Sequence, residues 1–158
     1  MTPPSPLPAA STQDIPRLLK EAATAMKGDV KGAVAKLEAA YALARAAGVD
    51  DDTAVVAEEL ARGWARGKSP ARSLHYAHIA SKLAPEQRSS WTTLAKTCEL
   101  VATRTRGDDK VRRAQALYLA ASGAFKKAAA MTKDSEDRHW LLELAGDAAR
   151  QAKPPAKT

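Results

Sequence analysis

Histidine and cysteine are the residues of this chain whose chemistry best suits metal binding or nucleophilic catalysis. His75 and His78 lie three residues apart, so on a helix their imidazoles share a side and offer two metal ligands. No third ligand stands at a defined spacing from this pair, which makes two solvent-facing histidines the stronger interpretation. We therefore predict no metal site and no cofactor.

The one cysteine, Cys98, has no histidine near it in sequence that would activate its thiol. A phosphate-binding loop needs clustered glycines, whereas Gly63 and Gly67 are isolated within helical sequence. A single cysteine also excludes a disulfide within the chain. The sequence therefore predicts that the protein is not an enzyme.

The elements that would position such groups are predicted to be helices. Alanine supplies 36 of the 158 residues and glycine only eight, a composition of high helix propensity. Apolar spacing and end signals predict seven helices, near residues 13–27, 30–47, 52–66, 70–83, 87–105, 109–131 and 135–151. The expected end signals are C-caps at Gly28, Gly48 and Gly67, a break at Gly107-Asp108-Asp109, and an N-cap at Asp134 or Ser135.

One helical domain is expected at residues 12–151, since the chain is long enough for a single continuous core. Proline-rich residues 1–11 are predicted to be a disordered lead, and residues 152–158 a disordered basic tail. The beginning of the chain has neither a basic start nor a long apolar run, so no secretion signal or membrane anchor is indicated. We expect a soluble cytoplasmic protein.

Two segments of the chain superimpose when one is shifted by 34 residues. Ala57-x-x-Leu60-Ala61-x-x-Trp64 falls on Trp91-x-x-Leu94-Ala95-x-x-Cys98, with leucine and alanine identical at the central positions. A period of this size is typical of helical hairpin repeats. A related pattern, Leu141-x-x-Leu144-Ala145-x-x-Ala148, starts 50 residues after Trp91 and is expected to form a terminal capping helix.

The helix after the first segment continues the pattern, with Ser73, Ala77, Ala80 and Leu83 on one stripe and Pro85 closing the unit. This pattern resembles the tetratricopeptide repeat (TPR) family. The resemblance implies an all-α solenoid of antiparallel helix hairpins, in which small residues such as Ala61 allow close helix approach. It also implies a non-catalytic adaptor or chaperone that binds a peptide segment of a partner protein in a concave groove.

By the same resemblance, the first helix of each hairpin lines that groove. The predicted partner-binding residues are Glu58, Arg62, Ser89, Thr92, Lys96 and Glu99, together with Ala65. Arg62 and Lys96 are 34 residues apart, so two equivalent groove positions are cationic, which suits an acidic peptide or a carboxylate terminus. A solvated face without a ligand is the alternative. Some family members bind chaperone tails through a basic clamp, which this chain does not reproduce.

The net charge of +7 is unevenly distributed, because residues 101–158 contain twelve basic and seven acidic residues. The predicted basic patch consists of Arg104, Arg106, Lys110, Arg112 and Arg113, with Lys126 and Lys127 further along. Such a patch suits an acidic protein or the phosphates of a nucleic acid. Nucleic acid is the less favoured partner because the chain has few aromatic residues to stack on bases.

Homo-oligomerisation is a further alternative, and the seventh helix is expected to decide it. An exposed stripe of Trp140, Leu141 and Leu144 would favour self-association, whereas a polar outer face would cap a monomeric stack.

Overall fold

In a computed structural model, which describes residues 11–105 and 110–153, the chain forms seven α-helices and no strand within those ranges. The helices are α1 (Asp14–Ala25), α2 (Val30–Ala47), α3 (Asp50–Arg66), α4 (Pro70–Leu83), α5 (Arg88–Arg104), α6 (Val111–Ala130) and α7 (Ser135–Ala152). All seven predicted helices are confirmed, and each end lies within two residues of its prediction. Residues 1–10 of the predicted lead, the predicted break at 107–109 and residues 154–158 of the predicted tail lie outside the described residues.

Helices that are consecutive in the chain pack against each other throughout the fold. The pairs α1–α2, α3–α4 and α5–α6 form three hairpins, and α7 packs on the last of them. In addition α3 contacts α5, so the first helices of neighbouring hairpins form a common wall. This is the all-α repeat solenoid predicted from the 34-residue period, with α7 as its last described helix.

Small residues lie where the helices of the second hairpin come closest, as the repeat pattern predicts. Ala61 and Ala77 are fully buried, and the hydroxyl of Ser73 donates a hydrogen bond of 2.6 Å to the carbonyl oxygen of Ala61. Gly63 faces the preceding hairpin, and a Cβ atom there would lie only 3.0 Å from a methyl group of Val34. Larger side chains at these positions would push the helices apart.

The third hairpin carries an extension at its far end. Buried Ala121, Phe125 and Ala128 have the same four- and three-residue spacing as Ser73, Ala77 and Ala80 of the second hairpin. The residues of α6 before them pack against the ends of α5 and α7, in a cluster of Ala102, Ala114, Tyr118 and Ala152. The 50-residue spacing between the patterns at Trp91 and Leu141, which exceeds the 34-residue period, is thus accommodated by a longer hairpin with its own small core.

The predicted helix ends are only partly confirmed. Gly48 adopts a left-handed conformation (φ 70°) after α2, and the Asp134 carboxylate accepts a hydrogen bond from the Asp137 amide at 2.9 Å. The Gly28 prediction is wrong, because α1 already ends at Ala25. Gly67 is the C-cap of α3, as predicted, with a φ of −75°, and the next residue, Lys68, takes the left-handed conformation (φ 67°).

Candidate partner-binding groove

Two adjoining cavities run along the wall formed by the first helices of the hairpins. One, of about 530 Å³, lies between α1 and α3, and the other, of about 170 Å³, lies between α3 and α5. Arg62 lines both cavities, so they form one surface, which we call the concave groove. Its apolar lining includes Leu19, Met26 and Val55 in the first cavity and Ala61, Ala65 and Leu100 in the second.

Positive charge predominates around the concave groove. Its cationic lining residues are Lys27, Arg62, Arg66 and Lys96, whereas Glu59 is the one carboxylate among the described lining residues. Arg62 is ion-paired with Glu59, and its guanidinium lies 3.7 Å from the carboxylate of Glu58. Lys96 has no ion pair within the described residues and is exposed. Lys27 and Arg66 are likewise exposed and without an ion pair there, so three of the four groove cations are available to an anionic ligand.

Glu58 lies beneath the groove rather than in its lining. It is 5% exposed, and its Oε1 accepts hydrogen bonds of 2.9 Å from the hydroxyls of Ser89 and Ser90. These bonds connect α3 to α5, so Glu58 and Ser89 hold the two walls together. Sequence reasoning missed Ser90, since a serine beside Trp91 carries no signal of a buried carboxylate partner 32 residues away.

Of the remaining predicted groove residues, two line the second cavity and one lies outside its lining. Thr92 and Lys96 line the second cavity with Arg62, so these three predicted residues share one cavity. Glu99 is half-buried and outside that lining; burial and then nearby Asp147 on α7 raise its pKa, while Lys96 lowers it. Lys27 was missed because every groove residue predicted from the sequence lies in the helices near 52–66 and 87–105. Arg66 was missed because it is one residue beyond Ala65, the last groove position predicted on α3.

The described members of the predicted basic patch, Arg104, Lys110, Arg112 and Arg113, are all exposed, and Arg106 lies outside the described residues. The sequence of α6 contains four cations and no carboxylate. Of the two lysines further along, Lys126 is exposed, whereas the ammonium of Lys127 lies 4.1 Å from the centroid of the Trp91 ring. Lys127 therefore makes a cation–π contact within the fold.

The residues suited to catalysis or metal binding do not converge. His75 and His78 are exposed on α4, although partial desolvation of the His78 imidazole, followed by the nearby charges of Lys82 and His75, lowers the pKa of His78. Cys98 is fully buried, and burial raises the pKa of its thiol to about 11, which keeps it protonated at neutral pH. Within residues 11–105 and 110–153, no three His, Cys, Asp or Glu side chains are grouped to hold a metal ion.

The outer face of α7 is mainly polar. Leu141 is buried and Leu144 packs against the core, so the apolar stripe that would favour self-association does not form. Trp140 and Leu142 are about half exposed, but two residues apart they project from different sides of the helix. On this face the His139 imidazole lies 3.2 Å from the Glu143 carboxylate, and Asp147 is ion-paired with Arg150.

None of the helices in the described part of the chain combines the length and apolar character needed to span a membrane.

Comparison with known proteins supports the fold. The sequence matches no family model and no curated protein sequence. Among solved structures, the chain is similar to the TPR domain of Sgt2 from Aspergillus fumigatus, with a TM-score of 0.63 and 19% sequence identity over 98% of this chain and 93% of that one. At this identity the likeness concerns the fold, and it confirms a TPR-like helical-repeat solenoid.

Proposed function

We propose that this protein is a non-catalytic adaptor or chaperone that binds an acidic, extended or helical peptide segment of a partner protein in the concave groove. The observation that carries the proposal is the continuity of the two cavities through Arg62, with Lys27, Arg66 and Lys96 around it. Four cations against Glu59 in the lining and Glu58 beneath it leave the groove positively charged, which favours an acidic ligand, and the apolar lining offers area for its side chains. The TPR fold is an interaction scaffold in general, and we expect this binding to take place in the cytoplasm.

Arg62 and Lys96 are proposed to contact the ligand carboxylates directly. Arg62 is oriented by Glu58 and Glu59 on the preceding turn, so less side-chain entropy is lost when it binds. Lys96 has no such partner among the described residues and contributes a flexible ammonium from the opposite wall. Thr92 supplies a hydroxyl in the same cavity.

Capture of partners from a cell lysate tests this proposal. The baits are the unaltered protein, the groove variant Arg62→Gln with Lys96→Gln, and the patch variant Arg112→Gln with Arg113→Gln. The two variants lose the same charge, so each controls for the other. Proteins lost with the groove variant and retained with the patch variant support the adaptor function. Recovery of the same proteins with both variants would contradict a role for the groove.

The basic patch supports a second candidate function, binding of nucleic acid or an acidic protein, because its four described cations are exposed and α6 has no carboxylate to neutralise them. Nucleic acid recovered with the unaltered bait and lost with the patch variant alone would favour this alternative. Such binding should weaken steeply as salt is raised. A homo-oligomeric scaffold is less favoured, because the outer face of α7 is polar.

A further inference from the structure

A third cavity, of about 650 Å³, lies outside the concave groove, between α2 and the turn that joins α3 to α4. Its apolar walls are Val30, Val34 and Ala35 from α2 and the indole of Trp64 from α3. The volume falls within the range of roughly 300–1,000 Å³ typical of ligand pockets. The cavity is open to solvent on one side, which suits a side chain on a peptide better than an enclosed small molecule.

The charged groups that line this cavity differ in whether they have hydrogen-bond or ion-pair partners within the described residues. Glu38 is already engaged, because the Tyr76 hydroxyl lies 2.9 Å from both of its carboxylate oxygens and the Trp64 Nε1–H donates to Oε1 at 3.3 Å. Lys31 and Arg72 are exposed and have no ion pair within the described residues. Two available cations therefore face a cavity whose one lining carboxylate is occupied by internal hydrogen bonds.

The aromatic wall is held in place before any ligand arrives. The indole N–H of Trp64 is fixed by Glu38, and the guanidinium carbon of Arg72 lies 4.5 Å from the centroid of the Trp64 ring. The hydroxyl of Tyr76 in turn donates a hydrogen bond to Glu38. The Tyr76 ring packs edge-on against the Tyr41 ring, with 5.4 Å between the ring centroids. A guanidinium that lies over an indole ring has five N–H donors, and a carboxylate can accept two of them side by side.

We propose that this cavity is a second peptide-binding site, specific for an aliphatic side chain that is followed by an acidic residue. The aliphatic side chain packs between Val34 and Trp64, and the carboxylate binds Arg72 with support from Lys31. The site shares no lining residue with the concave groove, so it stands whether or not the groove function is correct. A partner that carries one segment for the concave groove and one for this cavity would bind more tightly, because the second contact becomes intramolecular.

The three tryptophans of the chain provide the measurement, because each gives its own indole N–H signal in a ¹H–¹⁵N NMR spectrum. The probe is the blocked peptide Gly-Leu-Glu-Gly, and its controls replace glutamate by glutamine or leucine by alanine. Addition of the probe should shift the Trp64 signal and leave those of Trp91 and Trp140 unchanged. Each control peptide should bind about tenfold more weakly, which corresponds to one lost charge-assisted contact or one lost apolar contact.

Variants locate the binding and separate it from the groove. Arg72→Gln should weaken the probe about tenfold, while Arg45→Gln, an exposed position on α2 outside the cavity, should have no effect. The groove variant Arg62→Gln with Lys96→Gln should also leave the Trp64 shift intact. The same spectra report whether each variant is folded. Equal affinity for the glutamine peptide, or equal weakening by Arg45→Gln, would overturn the proposal.

Discussion

The hydroxyl of Ser90 on α5 lies 2.9 Å from the buried carboxylate of Glu58 on α3, and this hydrogen bond joins two neighbouring hairpins beneath the concave groove. Ser89 donates a second bond to the same oxygen, and Arg62 approaches the other one. The carboxylate thereby couples the spacing of the two walls to the orientation of a groove cation. We infer that the groove is shaped in part by a polar contact, in addition to its packed alanines.

Substitution of Glu58 tests this contact. Glu58→Ala should lower the free energy of unfolding by about 2–4 kcal/mol, because it removes two hydrogen bonds to a buried charged group and leaves a cavity. Urea denaturation followed by circular dichroism gives the value. A double-mutant cycle with Ser90→Ala should yield a coupling energy of about 1 kcal/mol. A coupling near zero would show that the two side chains do not interact in solution.

Replacement of Lys68 by glycine should make the protein more stable. Its φ of 67° places a residue with a Cβ atom in the left-handed region, at a cost of about 1–2 kcal/mol. Lys68→Gly is therefore expected to raise the free energy of unfolding by about 1 kcal/mol, since the entropy of glycine in the unfolded chain offsets part of the gain. Lys68→Ala separates conformation from charge and should not stabilise. Gly48→Ala, at a φ of 70°, should have the opposite effect to Lys68→Gly.

Glu99 should make stability depend on pH. Burial and Asp147 raise its pKa above the usual 4.5, so the folded state holds this proton more tightly than the unfolded state does. Ionisation of Glu99 therefore destabilises the folded state. This loss of stability is absent below pH 4.5, grows as the pH rises through the folded-state pKa, and is complete at neutral pH. Glu99→Gln should therefore raise the denaturation midpoint at neutral pH and leave it unchanged near about pH 4.

The expected gain from Glu99→Gln is below about 1 kcal/mol, because the carboxyl is partly exposed and solvent screens its interactions. Glu86→Gln, at an exposed position between α4 and α5, is the matched control and should change neither midpoint. A gain of equal size at both pH values would show that ionisation of Glu99 is not its cause.

The tryptophans should contribute unequally to stability. Trp64 packs partly buried against the core, donates a hydrogen bond to Glu38 and contacts Arg72, so Trp64→Ala should cost about 2–3 kcal/mol. This is less than the roughly 3–5 kcal/mol expected for a fully buried aromatic. Trp140 is 51% exposed, and Trp140→Ala should cost less than about 1 kcal/mol. Equal losses in thermal or urea denaturation would contradict this assignment of burial.

The sequence predicts the repeat architecture well because short-range signals determine it. Alanines at fixed spacing, Pro70 at a helix start and Pro85 after a helix end act within a few residues, and the 34-residue shift relates two complete patterns. Gly67 caps α3 as predicted, but the left-handed conformation lies one residue later, at Lys68, where the residue type gives no sign of it.

The site is less predictable because it depends on contacts between distant residues. Repeat offsets correctly bring Arg62, Thr92 and Lys96 to one cavity. The same offsets do not reveal that the Glu58 carboxylate is hydrogen-bonded to Ser89 and Ser90, since burial of a carboxylate depends on the approach of another helix. The cavity at Trp64 likewise requires α2 and α4 to meet beside α3, which no single segment encodes.

Binding to the concave groove is tested most directly by selecting peptides from a random library on the unaltered protein and mapping one on its backbone amide signals. Selected peptides should be enriched in Asp and Glu, and should shift amides around Arg62, Thr92 and Lys96. The variant Arg62→Gln with Lys96→Gln should bind them about tenfold or more weakly. Selection of peptides without acidic residues, or shifts that leave α3 and α5 untouched, would contradict the groove as the binding surface.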